Sequence, residues 1–384
     1  MIYGMDVLLS RRLKLLKGRR VGLLSHQAAL VRGGATSAQA MRRTLGSSLK
    51  ALFGPEHGFL GQTGAGEKTW STVHPDWDIP VYSLYGEMRK PSDEMLAGID
   101  VVVCDLQDIA VRCYTYLATL LNMYDACREN GVDLIVTDRP VPLPHVVDGP
   151  MLEPRFRSFV APCSLPMVYG MTPAETVAWL SSVDETGFEP VVVPMSGWKR
   201  ERSLIYGYQG DFMPPSPALK SREAALVYPA LVFSEALPGI DCGRGINMTF
   251  RVFGAPWLEG KKFCTRLNSL QLDGVVFHPH CYTAAAGCWK GRKINGVRLS
   301  ISDPAMFRPV ECSLHIIREL TDCFGDARIW CCKGVRQRWF DKLYGGSETR
   351  LALKKGESLR EIFKRWKKDN APFMAERERV LLYR

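Results

Sequence analysis

The stretch Val101-Val102-Val103-Cys104-Asp105-Leu106-Gln107-Asp108 passes from four apolar residues directly into a polar segment. A short run that is wholly apolar is typical of a β-strand covered on both faces, as in parallel sheets. The polar residues that follow would lie at the carboxyl end of this strand. We therefore expect a parallel sheet with polar side chains gathered along one edge.

The same alternation recurs along the first half of the chain. Further strand-like runs occur at Val21–Ser25, Leu49–Phe53, Val81–Leu84, Leu134–Thr137 and Val191–Val193. Helical segments are predicted at Ser37–Leu45, at Tyr116–Asn130 before Gly131, and after the capping box that begins at Thr172. This pattern predicts an α/β fold with a Rossmann-like, mostly parallel sheet and helices on both faces.

A proline-rich segment, Met213–Pro217, divides the chain. We predict a Rossmann-like catalytic domain over residues 1–212 and a smaller α+β domain over residues 218–384 that completes the cleft. A chain of 384 residues suits two domains. In the second half, strands are expected near Gly274–Phe277 and Val297–Ile301. Leu359, Ile362, Phe363 and Trp366 have the spacing of one buried helix face.

Composition favours a soluble protein of the cytoplasm with no membrane partner. Apolar residues make up 46% of the chain, and no apolar run approaches the roughly 20 residues that span a bilayer. The segment from Met1 to Lys17 lacks the apolar core of a signal peptide. None of the twelve cysteines has C-x-x-C spacing, which indicates buried thiols in a reducing compartment. A metal site at Cys331-Cys332 is the weaker alternative.

The net charge of +10 is concentrated near the end of the sequence, where residues 333–384 hold 15 Lys/Arg and 7 Asp/Glu. Nucleic-acid binding is one interpretation. We prefer a second, in which the lysines and arginines cover the exposed faces of helices, so that no nucleic-acid partner is expected. Such a surface would also attract anionic substrates.

Four predicted strands are followed by polar residues. These are His26 and Gln27 after the first, Glu56 and His57 after the second, Asp105, Gln107 and Asp108 after the fourth, and Asp138 and Arg139 after the fifth. Each residue alone could serve a structural role, such as a helix cap or an ion pair. Together they indicate a pocket. Glycosidic cleavage needs a protonated carboxylic acid and usually a second carboxylate, and this edge supplies several.

The sequence lacks the motifs of several other classes of enzyme. No Walker phosphate loop, H-E-x-x-H or G-x-S-x-G segment is present, and the glycines of Gly61–Gly66 have the wrong spacing for a dinucleotide fingerprint. His278 and His280 could share a strand face and bind a metal, but this is the less favoured interpretation. We expect no cofactor and no metal.

Seven segments occur in an order that resembles the exo-β-N-acetylmuramidase family. They are Gly54-Pro55-Glu56-His57-Gly58-Phe59, Val81–Gly86, Asp105-Leu106-Gln107-Asp108, Tyr114-Thr115-Tyr116, Asp138-Arg139-Pro140, Gly170-Met171-Thr172 and Phe253-Gly254-Ala255-Pro256-Trp257. The resemblance runs from about Gly4 to Tyr383. It implies removal of N-acetylmuramic acid from the non-reducing ends of peptidoglycan-derived muropeptides or saccharides.

The resemblance also implies roles for individual residues. Glu56 would be the catalytic acid/base, with His57 beside it and Glu235 as the candidate second carboxylate. Substrate would be bound by His26, Gln27, Asp105, Gln107, Asp108, Arg112, Tyr114, Asp138, Arg139, Tyr169 and Arg244. An arginine suits the lactyl carboxylate because its planar fork can hold both oxygens.

The sequence departs from the family at three places. Val141 stands where the family usually has Asn, Tyr169 stands where it often has His, and Ala236–Cys242 differs from the usual Glu-Gly-Thr-Asn-like run. These departures leave Glu56 intact. They motivate an alternative function, that of a muropeptide-binding protein without catalysis.

Overall fold

The structure is a computed structural model that describes residues 1–61, 64, 66, 67, 70–206 and 212–384. Part of the Gly61–Gly66 segment, namely Gln62, Thr63 and Ala65, lies outside the described residues. So do residues 207–211 at the end of the first predicted domain.

The strands of the described residues are β1 (Val21–Ser25), β2 (Leu49–Gly54), β3 (Thr72–Val73), β4 (Pro80–Ser83), β5 (Val101–Asp105), β6 (Asp133–Thr137), β7 (Asp148–Met151), β8 (Pro166–Val168), β9 (Val191–Val193), β10 (Val252–Phe253), β11 (Val275–Thr283) and β12 (Lys293–Ile301). The α-helices are α1 (Gly4–Arg11), α2 (Ser37–Leu45), α3 (Asp93–Leu96), α4 (Thr115–Asn130), α5 (Pro173–Val183), α6 (Ser203–Tyr206), α7 (Arg222–Leu231), α8 (Gly260–Ser269), α9 (Pro309–Phe324), α10 (Asp326–Ile329), α11 (Gln337–Tyr344), α12 (Glu348–Lys354), α13 (Leu359–Asp369) and α14 (Ala371–Val380).

Seven strands form the main sheet in the order β3-β4-β2-β1-β5-β6-β9. All neighbouring pairs are parallel except β3 and β4, which are antiparallel at one edge. The chain runs outward from β1 in one direction to β4 and then in the other direction through β5 to β9. The strand order therefore reverses between β1 and β5, which is where ligands of open α/β sheets bind. The predicted Rossmann-like, mostly parallel sheet is confirmed.

Strand β5 shows why the sheet is stable. Val101 and Val103 pack with α1 and α2 on one face, while Val102 and Cys104 pack with α4 on the other. All four side chains are inaccessible to solvent. Since side chains alternate along a strand, an uninterrupted apolar run requires cover on both faces, as the sequence predicted.

A second, antiparallel sheet of order β10-β12-β11 lies in the later part of the chain. Phe253 of β10, Val297 of β12 and Leu314 of α9 belong to the same apolar cluster as Val102 of the main sheet. Ile362 of α13 joins this cluster too, which confirms the helix face predicted there. The smaller α+β part is therefore packed directly against one face of the main sheet.

The buried Arg112 also connects the two parts. Its Nη1 donates to the carbonyl oxygens of Pro150 at 2.8 Å and Leu165 at 2.5 Å, and its Nη2 donates to that of Leu343 in α11 at 3.3 Å. Burial lowers the pKa of Arg112 to about 10. The guanidinium thus holds together carbonyls of β7, of the loop before β8 and of α11.

We expect Arg112→Met to lower the free energy of unfolding by roughly 3–5 kcal/mol, because three carbonyls lose their donor. Urea unfolding followed by circular dichroism measures the change. Arg379→Met is the matched control, since Arg379 is exposed, and it should change stability by less than about 0.5 kcal/mol. Equal effects of the two substitutions would contradict this role.

Candidate active site

A cavity of about 410 Å³ lies between the two parts of the molecule. This volume is in the range of small-ligand pockets, roughly 300–1,000 Å³. The main-sheet side contributes Glu56, His57, Gly66, Tyr85, Cys113, Tyr114, Thr115 and Val160. The proline-rich segment contributes Ser216. The later part contributes Ala218, Leu219, Tyr228, Glu235, Arg244, Phe250, Arg336, Trp339 and Leu343.

A tight turn after β2 presents Glu56. The Gly58 N–H donates to the carbonyl of Pro55 at 3.0 Å, so these two residues close a four-residue turn around Glu56 and His57. His57 has φ of 73°, the left-handed value that the third position of a type II turn requires. A side chain at Gly54 would lie 2.5 Å from the Phe59 nitrogen. The motif therefore needs glycine at residue 54 and holds His57 in a strained conformation typical of functional sites.

Both carboxylate oxygens of Glu56 accept hydrogen bonds. The Thr115 hydroxyl donates to Oε2 at 2.7 Å, and the Gly66 N–H donates to Oε1 at 2.9 Å. Thr115 is the first residue of α4, where the helix dipole favours a nearby negative charge. The Glu56 side chain is nearly buried yet lines the cavity. Its orientation is therefore fixed before any ligand binds.

Tyr85 lies beside the carboxylates. Its partial burial, together with the charges of Glu56 and Glu235, raises its pKa to about 12. The phenol is therefore protonated at neutral pH and can donate a hydrogen bond inside the cavity.

Glu235 stands on the opposite wall, in the short helical turn after α7. Its carboxylate forms an ion pair with Arg244, and the Arg244 guanidinium lies 5.2 Å from the centre of the Phe250 ring. The Nη2 of Arg336 donates to the backbone carbonyl of Glu235. Among the described residues that line the cavity, Glu56 and Glu235 are the carboxylates.

Five of the predicted site residues line this cavity: Glu56, His57, Tyr114, Glu235 and Arg244. The other nine do not. His26, Gln27, Asp105, Gln107, Asp108, Arg112, Asp138, Arg139 and Tyr169 lie behind the cavity wall or away from it, where most of them satisfy one another or the backbone.

The proline-rich segment covers the edge where these polar residues converge. The Tyr116 hydroxyl donates to the Pro215 carbonyl at 2.5 Å, and Gln27 Nε2 donates to the Pro214 carbonyl at 3.4 Å. His26 Nε2 accepts from the Gln107 N–H at 3.0 Å. Burial, with smaller contributions from the Arg139 and His57 charges, lowers the pKa of His26 to about 3. His26 is therefore a neutral histidine that positions the strand ends.

Asp105 and Arg139 form a two-pronged ion pair, with both N···O distances at 2.7 Å. Neither side chain is more than 2% exposed. The Ser37 hydroxyl at the start of α2 donates to the same carboxylate. This pair joins β5, β6 and α2. Because both side chains are buried, a sugar cannot reach them.

Asp138 is enclosed in the same way. It accepts hydrogen bonds from the Thr172 hydroxyl at 2.8 Å, the Ala174 N–H at 3.0 Å and the Tyr383 hydroxyl at 2.5 Å. Burial and the neighbouring Glu175 charge raise the pKa of Asp138 to about 7. It therefore caps α5 and anchors the last residues of the sequence.

Among the lining residues that were given no role from the sequence are Tyr85, Thr115, Arg336 and Trp339. Tyr85 and Thr115 lie inside two of the ordered segments, and this was the one available signal. Arg336 and Trp339 stand in a basic region without a motif, so only the fold brings them to the cavity. Among the described residues no group of three or more His, Cys, Asp or Glu side chains could hold a metal ion.

Comparison with known proteins gives the family. Residues 21–223 match the family profile described as exo-β-N-acetylmuramidase NamZ, N-terminal, and residues 226–383 match the corresponding C-terminal profile. The chain belongs to the NamZ exo-β-N-acetylmuramidase family. Membership of the NamZ family makes it a glycosidase.

Individual relatives agree with the NamZ assignment. The peptidoglycan β-N-acetylmuramidase NamZ of Bacillus subtilis (strain 168) is 33% identical over 381 residues, covering 99% of this chain and 91% of the relative. Crystal structures of two DUF1343 family proteins of Bacteroides fragilis NCTC 9343 share the fold. One has a TM-score of 0.91 at 30% identity and the other 0.78 at 26%, and both alignments cover 100% of this chain and 99% of the other.

The described helices of this NamZ-family chain were compared with the length and apolarity that a membrane-spanning helix needs. Of those that the structure describes, none is both long and apolar enough to cross a membrane.

The pH dependence of stability tests the enclosed carboxyls. Burial raises the pKa of Asp108 to about 6, while Tyr169 donates to its carboxylate at 2.9 Å. The native state therefore binds this proton more tightly than the unfolded state, and the free energy of unfolding falls as pH rises from about 4 to about 6. Asp108→Asn should reduce that fall by about 3 kcal/mol.

Urea unfolding across this pH range measures the effect. Asp273→Asn, at an exposed carboxyl, is the control and should leave the pH dependence as it is. An unchanged slope in Asp108→Asn would show that this carboxyl does not titrate between the two states.

Proposed function

We propose that this protein hydrolyses the β-glycosidic bond of a terminal N-acetylmuramic acid residue at the non-reducing end of peptidoglycan-derived saccharides. The NamZ family membership and the name of the Bacillus subtilis relative support this substrate class. The observation that carries the proposal is the Glu56 carboxyl, which is held by two donors and lines a cavity of sugar-binding size.

Glu56 would supply the proton that the leaving oxygen needs when its bond to C1 breaks. The Thr115 hydroxyl suits this role because it can donate to the ionised carboxylate and accept from the protonated acid. Glycosidases usually add a second carboxylate on the other face of the sugar. Glu235 would serve there, either by taking a proton from the attacking water or by stabilising positive charge at C1.

Arg244 supports this division of roles. Its guanidinium forms an ion pair with the Glu235 carboxylate, which suits a carboxylate that acts as a base. Glu56 has no cation paired with it among the described residues. His57, next to Glu56 in the turn, would help to position the leaving group. The cavity thus offers one carboxyl suited to act as an acid and one suited to act as a base.

The alternative of a binding protein without catalysis rested on departures from the family. Val141 and Tyr169 are buried away from the cavity, in an apolar cluster with Met171 and Trp179. Of Ala236–Cys242, no residue lines the cavity. These departures therefore leave the wall described above unchanged, and the hydrolase is the function that we favour.

We expect Glu56→Gln to lower kcat by roughly 10²–10⁴-fold, because the amide cannot transfer a proton. Release of 4-nitrophenol from 4-nitrophenyl N-acetyl-β-muramide measures the rate. Glu94→Gln, at an exposed carboxyl on α3, is the control and should keep full activity. A Glu56→Gln protein that is folded and fully active would remove Glu56 from the mechanism.

Thr115→Val should lower kcat by roughly 10- to 100-fold with little change in KM, because it removes one hydrogen bond that orients Glu56. Thr115→Ser retains the hydroxyl and should recover most of the rate. The same assay over a range of substrate concentrations separates the effect on kcat from the effect on KM. If the serine variant were as slow as the valine variant, the hydroxyl would not be the important group.

A further inference from the structure

Two arginines stand on the cavity wall opposite Glu56, and their surroundings differ. Arg244 is already paired with Glu235, and its side chain is about one-third exposed at 36%. Its positive charge is therefore offset before a substrate arrives. An anionic ligand at Arg244 would have to lie beside the Glu235 carboxylate, where like charges repel.

Among the described residues, Arg336 has no carboxylate partner of this kind. Its guanidinium donates from Nη2 to the backbone carbonyl of Glu235, and no carboxylate of the described residues lies within ion-pair distance of it. One neutral acceptor leaves most of its five N–H donors available. Arg336 therefore brings a full positive charge to the cavity.

The position of Arg336 is nevertheless fixed. The backbone N–H of Arg336 donates to the Ala236 carbonyl at 2.9 Å. Its guanidinium lies 5.5 Å from the centre of the Trp339 ring, and Trp339 also lines the cavity. An aromatic face next to a guanidinium limits the orientations of the planar group. Arg336 is solvent-exposed, yet these contacts hold its guanidinium at the cavity, where it can meet an anionic ligand without first being ordered.

We propose that Arg336 determines specificity by binding the lactyl carboxylate of the substrate, and that Arg244 instead holds the Glu235 carboxylate in place. This inference rests on the proposed function, because it assigns a subsite of the same cavity. N-acetylmuramic acid differs from N-acetylglucosamine by its 3-O-lactyl group, which is a carboxylate at neutral pH. A planar guanidinium can hold both oxygens of that group.

The test compares two substrates that differ in this charge: 4-nitrophenyl N-acetyl-β-muramide and its lactyl methyl ester. The native protein should prefer the free acid. Arg336→Met should lower kcat/KM for the acid by roughly 10- to 100-fold, mainly through KM, and change that for the ester by less than about threefold. Arg336→Lys should retain part of the preference. Arg338→Met, an exposed arginine outside the cavity wall, is the matched control and should behave as the native protein.

The outcomes separate this inference from the proposed function. Equal losses on both substrates in Arg336→Met, or a preference for the acid that vanishes in Arg244→Met alone, would overturn the role of Arg336 while hydrolysis itself stands. Calorimetric titration with free N-acetylmuramic acid gives a readout that does not need turnover. Weaker binding to Arg336→Met than to the native protein supports the assignment, and equal or absent binding to both, without hydrolysis, rejects both proposals.

Discussion

The ion pair between Asp105 and Arg139 is the interaction on which the rest of this site depends. It lies at the carboxyl ends of β5 and β6 and also engages Ser37 at the start of α2. A buried pair of this kind contributes little net stability, but removal of one partner costs roughly 3–5 kcal/mol because the other charge remains buried. The ion pair therefore acts mainly by fixing the positions of the elements that it joins. It sets where the strand ends stop, and the turn that carries Glu56 is built beside them.

Parallel strands bring polar residues to one edge, and this much the sequence predicts well. The alternation of apolar runs and polar loops predicted the sheet and its carboxyl edge, and the order of short motifs indicated the family. The same reasoning could not separate residues that face a ligand from residues that bind one another. In the sequence, an acidic residue after a strand has the same appearance whether it faces a ligand or binds another protein residue. Asp138 differs from Glu56 because Thr172, Ala174 and the distant Tyr383 enclose it.

The opposite wall of the cavity was harder to predict for a physical reason. Glu235 and Arg244 were found through family resemblance, while Arg336 and Trp339 have no local pattern that marks them. Strands β11 and β12 were predicted as shorter than they are, because exposed and buried residues alternate along much of β11. A strand with one solvated face lacks the continuous apolar signal that made β5 obvious.

The contact between Asp138 and Tyr383 spans 245 positions of sequence. Apart from this contact, one hydrophobic core includes both Val102 of the main sheet and Phe253 of the second sheet. Contacts of such long range slow folding, since much of the chain must be ordered before they form. They also make the two sheets interdependent. Cutting the polypeptide at its proline-rich segment would expose apolar surface on both pieces and leave the buried Asp138 without the Tyr383 hydroxyl, so we expect the two sheets to unfold together.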